Sequence, residues 1–113
     1  MIKINENVGI QFVKGRNEED HPEIRLFRNL DGKKGQAVYK FSNPTTITIE
    51  NFESIQKMYL FDEEGEISTR KIDLSISENH IKEIKSTYHW NTEKEFERFM
   101  RFSKRYANSL TNN

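Results

Sequence analysis

The densest cluster of titratable side chains in the 113-residue sequence is the run Asp62-Glu63-Glu64-Gly65-Glu66. Carboxylates set this close together can act as general acid and base, or hold a hard cation through oxygen ligands. Here the run interrupts two stretches of apolar alternation, so it reads as a hairpin turn with its side chains splayed to different sides and without calcium-loop spacing. Solvated turn chemistry accounts for it. His21, His80 and His89 stand far apart, none with a second ligand three or four residues away, so no zinc-type ligand set forms. With no cysteine there is no thiolate ligand, thiol nucleophile or disulfide, which fits a reducing compartment. Phosphate-loop, dinucleotide-binding, nucleophile-elbow and zinc-protease motifs are all missing. The residues argue against an enzyme and call for no cofactor and no metal.

One stretch has the look of nucleic-acid recognition. Lys34-Gly35-Gln36-Ala37-Val38-Tyr39-Lys40-Phe41 matches the RNA-recognition consensus at its Lys-Gly start, its small fourth residue and its aromatic eighth. Gln36 and Val38 stand where base-stacking aromatics belong, however, and no helix separates the first strands. The 18 basic and 18 acidic residues cancel, so no global field draws in a polyanion or an acidic membrane. A small single-stranded RNA-binding domain using the Tyr39 and Phe41 face, with Lys34 and Lys40, stays as the alternative to a protein-binding module.

The elements that would position these residues are mostly strands. Val8, Ile10 and Phe12 share one parity, the period of a half-buried strand over Val8 to Lys14. Beyond Pro22, Ile24, Leu26 and Arg28 alternate with Arg25 and Phe27; after the Asn29–Gly35 turn, Ala37, Tyr39 and Phe41 alternate with Val38 and Lys40, completing a hairpin. The β-branched Thr45–Glu50 stretch predicts a short edge strand, and Ile55–Asp62, apolar on both parities, a central strand covered on both sides. Ile72, Leu74 and Ile76 form the next alternation, with Ile67 out of phase, which predicts one strand bulged near Arg70. A turn at Glu78-Asn79-His80 leads to a strand marked by Ile84, Ser86, Tyr88 and Trp90, completing a meander.

The period then changes. Thr92-Glu93-Lys94-Glu95 is a capping box, predicting a helix from there to about Ser109. Phe96, Phe99, Met100, Ser103, Tyr106, Ala107 and Leu110 make its inward stripe, widened by Phe102, and the sheet's apolar face needs such a cover. Phe102 with Arg98, Arg101 and Arg105 is read as either a basic, partly aromatic face for a partner or a solvated flank. The expected fold is α+β: an antiparallel sheet of five to six strands, in hairpins and a meander, covered by a C-terminal amphipathic helix. Residues 1–113 form one domain. No apolar run approaches the roughly 20 residues of a membrane-spanning helix, and Met1–Glu6 looks like a mature start without a transit peptide. Thr111-Asn112-Asn113 should fray. The abundance of Ile, Lys and Asn against only two alanines points to an A/T-rich genome, bacterial or organellar.

The sequence resembles the soluble photosystem II assembly factors numbered twenty-eight in the Psb series, also called the photosystem II reaction centre W proteins. The resemblance rests on ordered blocks: Pro22-Glu23-Ile24-Arg25-Leu26, then Asp31-Gly32 with Gly35 and Ala37, then Met58-Tyr59 with Asp62-Glu63-Glu64-Gly65-Glu66 and Thr69-Arg70, and last Arg98-Phe99-Met100-Arg101-Phe102 with Arg105-Tyr106-Ala107. Phe96-Glu97 stands where Trp-Asp is usual, and Ser103 where the family has methionine. The resemblance implies a non-catalytic peripheral protein of the thylakoid membrane, on the cytoplasmic side in a cyanobacterium or the stromal side in a plastid. It further implies transient binding to assembly intermediates that contain the reaction-centre core subunits and the inner chlorophyll antenna subunit, by strand addition to an acceptor-side loop. No nucleic acid is implied. Charges in the matching blocks with no obvious structural task are the candidate docking residues: Arg25, Asp31, Glu63, Glu64, Arg70, Arg98 and Arg101.

Overall fold

The structure, a computed structural model, describes residues 8–31 and 33–111. The start at Met1–Glu6 and the end at Asn112-Asn113 lie outside the described residues. Among the described residues eight strands form: β1 (Gly9–Val13), β2 (Arg16–Asn17), β3 (Glu23–Arg28), β4 (Gly35–Phe41), β5 (Met58–Asp62), β6 (Gly65–Thr69), β7 (Ile72–Ser77) and β8 (His80–Trp90). One helix, α1 (Glu93–Thr111), closes the chain. The class is the α+β antiparallel one that the alternation predicts. The strands divide, however, into two four-stranded sheets, ordered β2-β1-β5-β6 and β3-β4-β8-β7, where the sequence reads as a single sheet.

The parity of the apolar residues decides which side chains meet. Val8, Ile10 and Phe12 from β1 and the residue before it, Ala37, Tyr39 and Phe41 from β4, and Met58 and Leu60 from β5 are all buried in one core shared by both sheets. Phe12 meets Phe41 edge to face, joining the sheets, and such a ring pair adds about 1 kcal/mol beyond its buried area. Tyr59 and Phe61, on the other face of β5, are only half-buried; that face is open enough for Lys14 and Lys57 to lie over the Tyr59 ring, and it is not the covered face expected. The Ile67 phase shift also has a different cause from a bulge. β6 ends at Thr69 in the first sheet and β7 begins at Ile72 in the second, so the parity break at Arg70 marks a crossing between sheets. Thr69 Oγ1 donates to the Thr87 carbonyl, and Thr87 N–H and Ser86 Oγ donate to the Lys71 carbonyl, stitching the crossing to β8. The register irregularity in this part of the chain falls at Ser75/Ile76 instead.

Thr45–Glu50 forms no strand. The buried carboxylate of Glu18 accepts hydrogen bonds from the Thr45 and Thr46 amides and from both their hydroxyls. Asn51 binds the Thr46 carbonyl and the Thr48 amide through its side chain. Side chains thus satisfy the backbone groups that a strand would have offered to a neighbour.

Helix α1 starts as expected: Thr92 Oγ1 accepts from the Glu95 amide, while the Glu95 carboxylate reaches one residue beyond the usual box to accept from the Asn91 amide. It extends through Thr111, two residues past the expected end. Phe99, Phe102 and Tyr106 are its buried residues, so Phe102 is central to the inward face rather than at its margin, and Met100 and Ala107 lie outside it. Phe99 stacks on both Trp90 and Tyr88 of β8. Gly35, at the head of β4, has no room for a side chain: a Cβ would run into the Phe27 carbonyl oxygen and come within 2.5 Å of the Trp90 ring. Gly35→Ala is expected to cost about 2 kcal/mol through overpacking. The check is its urea midpoint, which should fall well below that of the parent; an unchanged midpoint would show that Trp90 gives way freely.

Candidate functional site

The acidic turn between β5 and β6 does not face open solvent. It sits under one flank of α1, where Arg98, Arg101 and Arg105 recur at spacings of three and four and therefore line one side of the helix. The Asp62 side chain is fully buried. It takes both Arg98 terminal nitrogens at 2.8 and 2.9 Å, a bidentate pair, and Arg105 Nη1 at 3.0 Å. It also accepts the Glu64 amide, closing the turn on itself. Glu64 binds Arg101 at 2.7 and 2.9 Å and shares the guanidinium of Arg105. Glu63 is mostly exposed and reaches Arg105 at 3.6 Å.

The electrostatics follow from these partners. Burial pushes the Asp62 carboxyl up, but the hydrogen bonds from Arg98 and Arg105 outweigh it and hold the group below the ordinary carboxylate range. Arg101 first, and then Arg105, draw Glu64 down to about 2. Asp62 and Glu64 are thus held ionised by arginines, with no proton to give near neutral pH. Among the described residues no group of three or more His, Cys, Asp or Glu side chains converges as a metal-ligand set, and no helix is long and apolar enough to cross a membrane.

Four of the seven candidate docking residues, Glu63, Glu64, Arg98 and Arg101, therefore belong to one ion-pair network that ties the helix to the β5–β6 turn. For Glu64, Arg98 and Arg101 this is a structural task, and it removes the reason for which the sequence singled them out. The basic, partly aromatic face does not exist either, since Phe102 is buried and its arginine neighbours turn to the acids. The other three stand apart from the network. Arg25 lies on β3 in a surface pair with Glu23 at 3.2 Å. Asp31 accepts the Lys33 amide in the β3–β4 turn, which lowers its pKa. Arg70 is exposed at the crossing between sheets. The aromatic face of the RNA alternative is closed as well: Tyr39 and Phe41 are both fully buried and present no ring to a base.

Sequence reasoning missed the feature that most resembles a recognition surface. All six residues of β3 are exposed, although the strand alternates like a half-buried one. Among the described residues it pairs with β4 on one side and is the edge of its sheet on the other. Asn29 N–H donates to the Lys34 carbonyl, and this fixes the phase of the ladder. Glu23, Arg25 and Phe27 continue that hydrogen-bonded series with Lys40, Val38 and Gln36, so the N–H and C=O groups of Ile24 and Leu26 point away from the sheet. Edge strands are usually shortened, bulged or otherwise blocked. Of the other edge strands, β2 is two residues long, β7 carries the Ser75/Ile76 irregularity and β6 runs five pairs beside β5, whereas the β3–β4 register runs unbroken over six pairs. No signal in the local sequence distinguishes such a strand from a covered one; only the position of the helix decides it.

The comparisons with known proteins agree over nearly the whole chain. The family model described as Psb28 protein matches residues 10–111. A "Photosystem II reaction center Psb28 protein" of Prochlorococcus marinus (strain NATL2A) is 73% identical over 113 residues, covering all of both chains. Relatives of the same name from Prochlorococcus marinus (strain MIT 9211) and Synechococcus sp. (strain CC9902) are 44% and 41% identical, over 89% and 96% of this chain and 86% and 83% of their own. With its sheets, its helix and the blocks that join them all inside the matched span, this chain belongs to the Psb28 family.

Proposed function

We propose that this chain is a non-catalytic assembly factor of photosystem II. It binds transiently to intermediates containing the reaction-centre core subunits and the inner chlorophyll antenna subunit, and leaves before the complex matures. Its place is the thylakoid membrane, held peripherally on the cytoplasmic face in a cyanobacterium or the stromal face in a plastid. The relatives' name, photosystem II reaction center protein, supports the association with that complex. The observation that carries the mode of binding is the open edge of β3, whose unpaired backbone groups at Ile24 and Leu26 suit strand addition by a loop of the partner. Arg25, on that strand, and Asp31, in the turn beside it, are the docking charges that flank the edge. Arg70 is a third exposed charge, and Arg101, Arg98, Glu64 and Glu63 keep the sheet and helix in register behind it.

A mild-detergent pull-down with tagged protein from thylakoids, resolved on a native gel, tests the reading. Recovery of immature photosystem II lacking its oxygen-evolving proteins is expected. Recovery of ribosomes or RNA, or of no photosystem II subunit, would overturn it.

A further inference from the structure

The face of the second sheet that turns away from the core is hollowed. β4 buries Ala37, Tyr39 and Phe41, so Val38 and Lys40 face outward, and the registers set their neighbours. Arg25, Val38, Thr87 and Lys71 make one row across the four strands, closed by the Thr87 amide donating to the Lys71 carbonyl. In the next row Lys40 stands directly opposite Lys85, and like charges set opposite each other in a ladder are destabilising. The short side chains of Val38 and Thr87 leave a hollow of about 480 Å³ among these cations. Glu23 holds Arg25 at 3.2 Å and Glu83 holds Lys40 at 3.6 Å. Among the described residues Lys71 and Lys85 make no ion pair, although Asp73 is the ladder partner of Lys85; with these three acids counted, the face keeps one net positive charge. The Gln36 amide and the Thr87 hydroxyl, also in the wall, make no side-chain hydrogen bond among the described residues. A second hollow, about 440 Å³, meets the first at Phe27 and Gln36 and runs on to Lys34. Phe27 is half-exposed there, and Leu30, in the turn beyond, is fully exposed.

We propose that this hollow seats the headgroup of a membrane lipid that carries a single negative charge on a phosphate or sulfonate. The inference rests on the peripheral-membrane part of the assembly-factor reading and names the membrane component that is bound. An oxyanion set among Lys40, Lys85 and Lys71 offsets the repulsion built into the ladder, while the hydroxyls of the headgroup find the Gln36 amide and the Thr87 hydroxyl. One net positive charge matches one negative charge. A polyanion such as RNA would meet Glu23 at one edge of the sheet and Asp73 at the other, beside the cations it needs. A free anion would leave Phe27 and Leu30 in water, whereas a bilayer takes up apolar side chains below the level at which cations hold its headgroups. The chain as a whole is neutral, so the attraction is local to this face and fades within about 10 Å at ordinary salt.

Sedimentation of the full chain with vesicles of phosphatidylcholine, alone or mixed about three to one with phosphatidylglycerol, tests the site. Binding to the mixed vesicles alone is expected, about fivefold weaker in Lys71→Gln and in Lys85→Gln. Lys85→Arg should keep the parent's binding, and so should Lys57→Gln, whose lysine lies over Tyr59 on the first sheet. Lys71 and Lys85 are exposed, so the melting temperatures of their variants should not fall below that of the parent. Glycerophosphoglycerol, the soluble headgroup, is expected to bind at least about tenfold more weakly than the vesicles, since it gives Phe27 and Leu30 nothing to enter. No difference between the two kinds of vesicle would overturn the proposal. An equal loss in Lys57→Gln, no loss in Lys71→Gln and Lys85→Gln, or equally tight binding of the soluble headgroup would do the same. The vesicles hold no photosystem II, so failure here while the pull-down recovers that complex would leave the assembly-factor reading standing.

Discussion

Glu18→Ala is expected to lower the unfolding free energy by about 3 kcal/mol, although among the described residues its carboxylate makes no ion pair. Five donors converge on it: the amides of Asp20, Thr45 and Thr46 and the hydroxyls of Thr45 and Thr46. The hydroxyls can turn to other partners, but the amides cannot, and each buried amide left unpaired costs about 1–3 kcal/mol. The anchored segment also carries buried Ile47 into the core, so its release would open apolar surface as well. Glu18→Gln should recover only part of the loss, since one of its two side-chain atoms would present N–H groups to donors. Burial pushes the Glu18 carboxyl up, and its hydrogen bonds, led by the Asp20 amide, bring it below the ordinary value of 4.5. A depressed folded-state pKa means that the contribution is complete above the unfolded-state value and is lost as pH falls through the folded one. Equilibrium urea unfolding of the parent and both variants at neutral pH, repeated on the acid side of pH 4.5, measures this; equal loss on acidification in parent and variant would show that Glu18 is not the group responsible.

Asp62→Asn has the second largest expected effect. The change keeps the size of the side chain but removes the charge that Arg98 and Arg105 share, and it turns an amide N–H₂ toward their donors. Breaking a buried pair by removing one partner costs about 3–5 kcal/mol. Here the Arg98 and Arg105 side chains are 17% and 27% exposed, so water compensates in part and a loss of about 2–3 kcal/mol is expected. The reverse change, Arg98→Ala, should cost less, because Asp62 keeps Arg105 and the Glu64 amide. The sign of the pH dependence matches that of Glu18: the stabilisation is present above the unfolded-state carboxylate range and disappears as acid protonates Asp62. Near-ultraviolet circular dichroism reports the helix directly, since Trp90 and Tyr88 stack on Phe99. A double variant, Asp62→Asn with Arg98→Ala, should lose less than the sum of the two single changes; strict additivity would contradict a shared network.

Much of the fold is legible in the sequence because strand parity and helix period report burial directly. Ala37, Tyr39 and Phe41 are fully buried and alternate with partly covered neighbours, and Thr92 caps the helix it was expected to cap. Legibility ends where long-range geometry takes over. The phase shift at Arg70 has the same sequence signature whether it comes from a bulge or from a change of sheet. The β-branched residues at 45–49 favour a strand locally, and a single carboxylate 27 residues earlier overrides them. The candidate site shows the same division. Charges in the acidic run and on the helix stand out in the sequence, yet their spacing does not reveal that they pair with each other across 36 to 43 residues. The exposure of β3 carries no local signal, because an uncovered strand and a covered one can share the same alternation.

The proposed docking puts a strand of photosystem II on the edge of β3. Amide hydrogen exchange of the chain, alone and bound to purified photosystem II assembly intermediates, tests it most directly. The account predicts fast exchange at Ile24 and Leu26 in the free protein and strong protection of these two amides on binding, with little change at the β5–β6 turn and along α1. Protection confined to the turn and the helix arginines, with Ile24 and Leu26 exchanging as before, would contradict it.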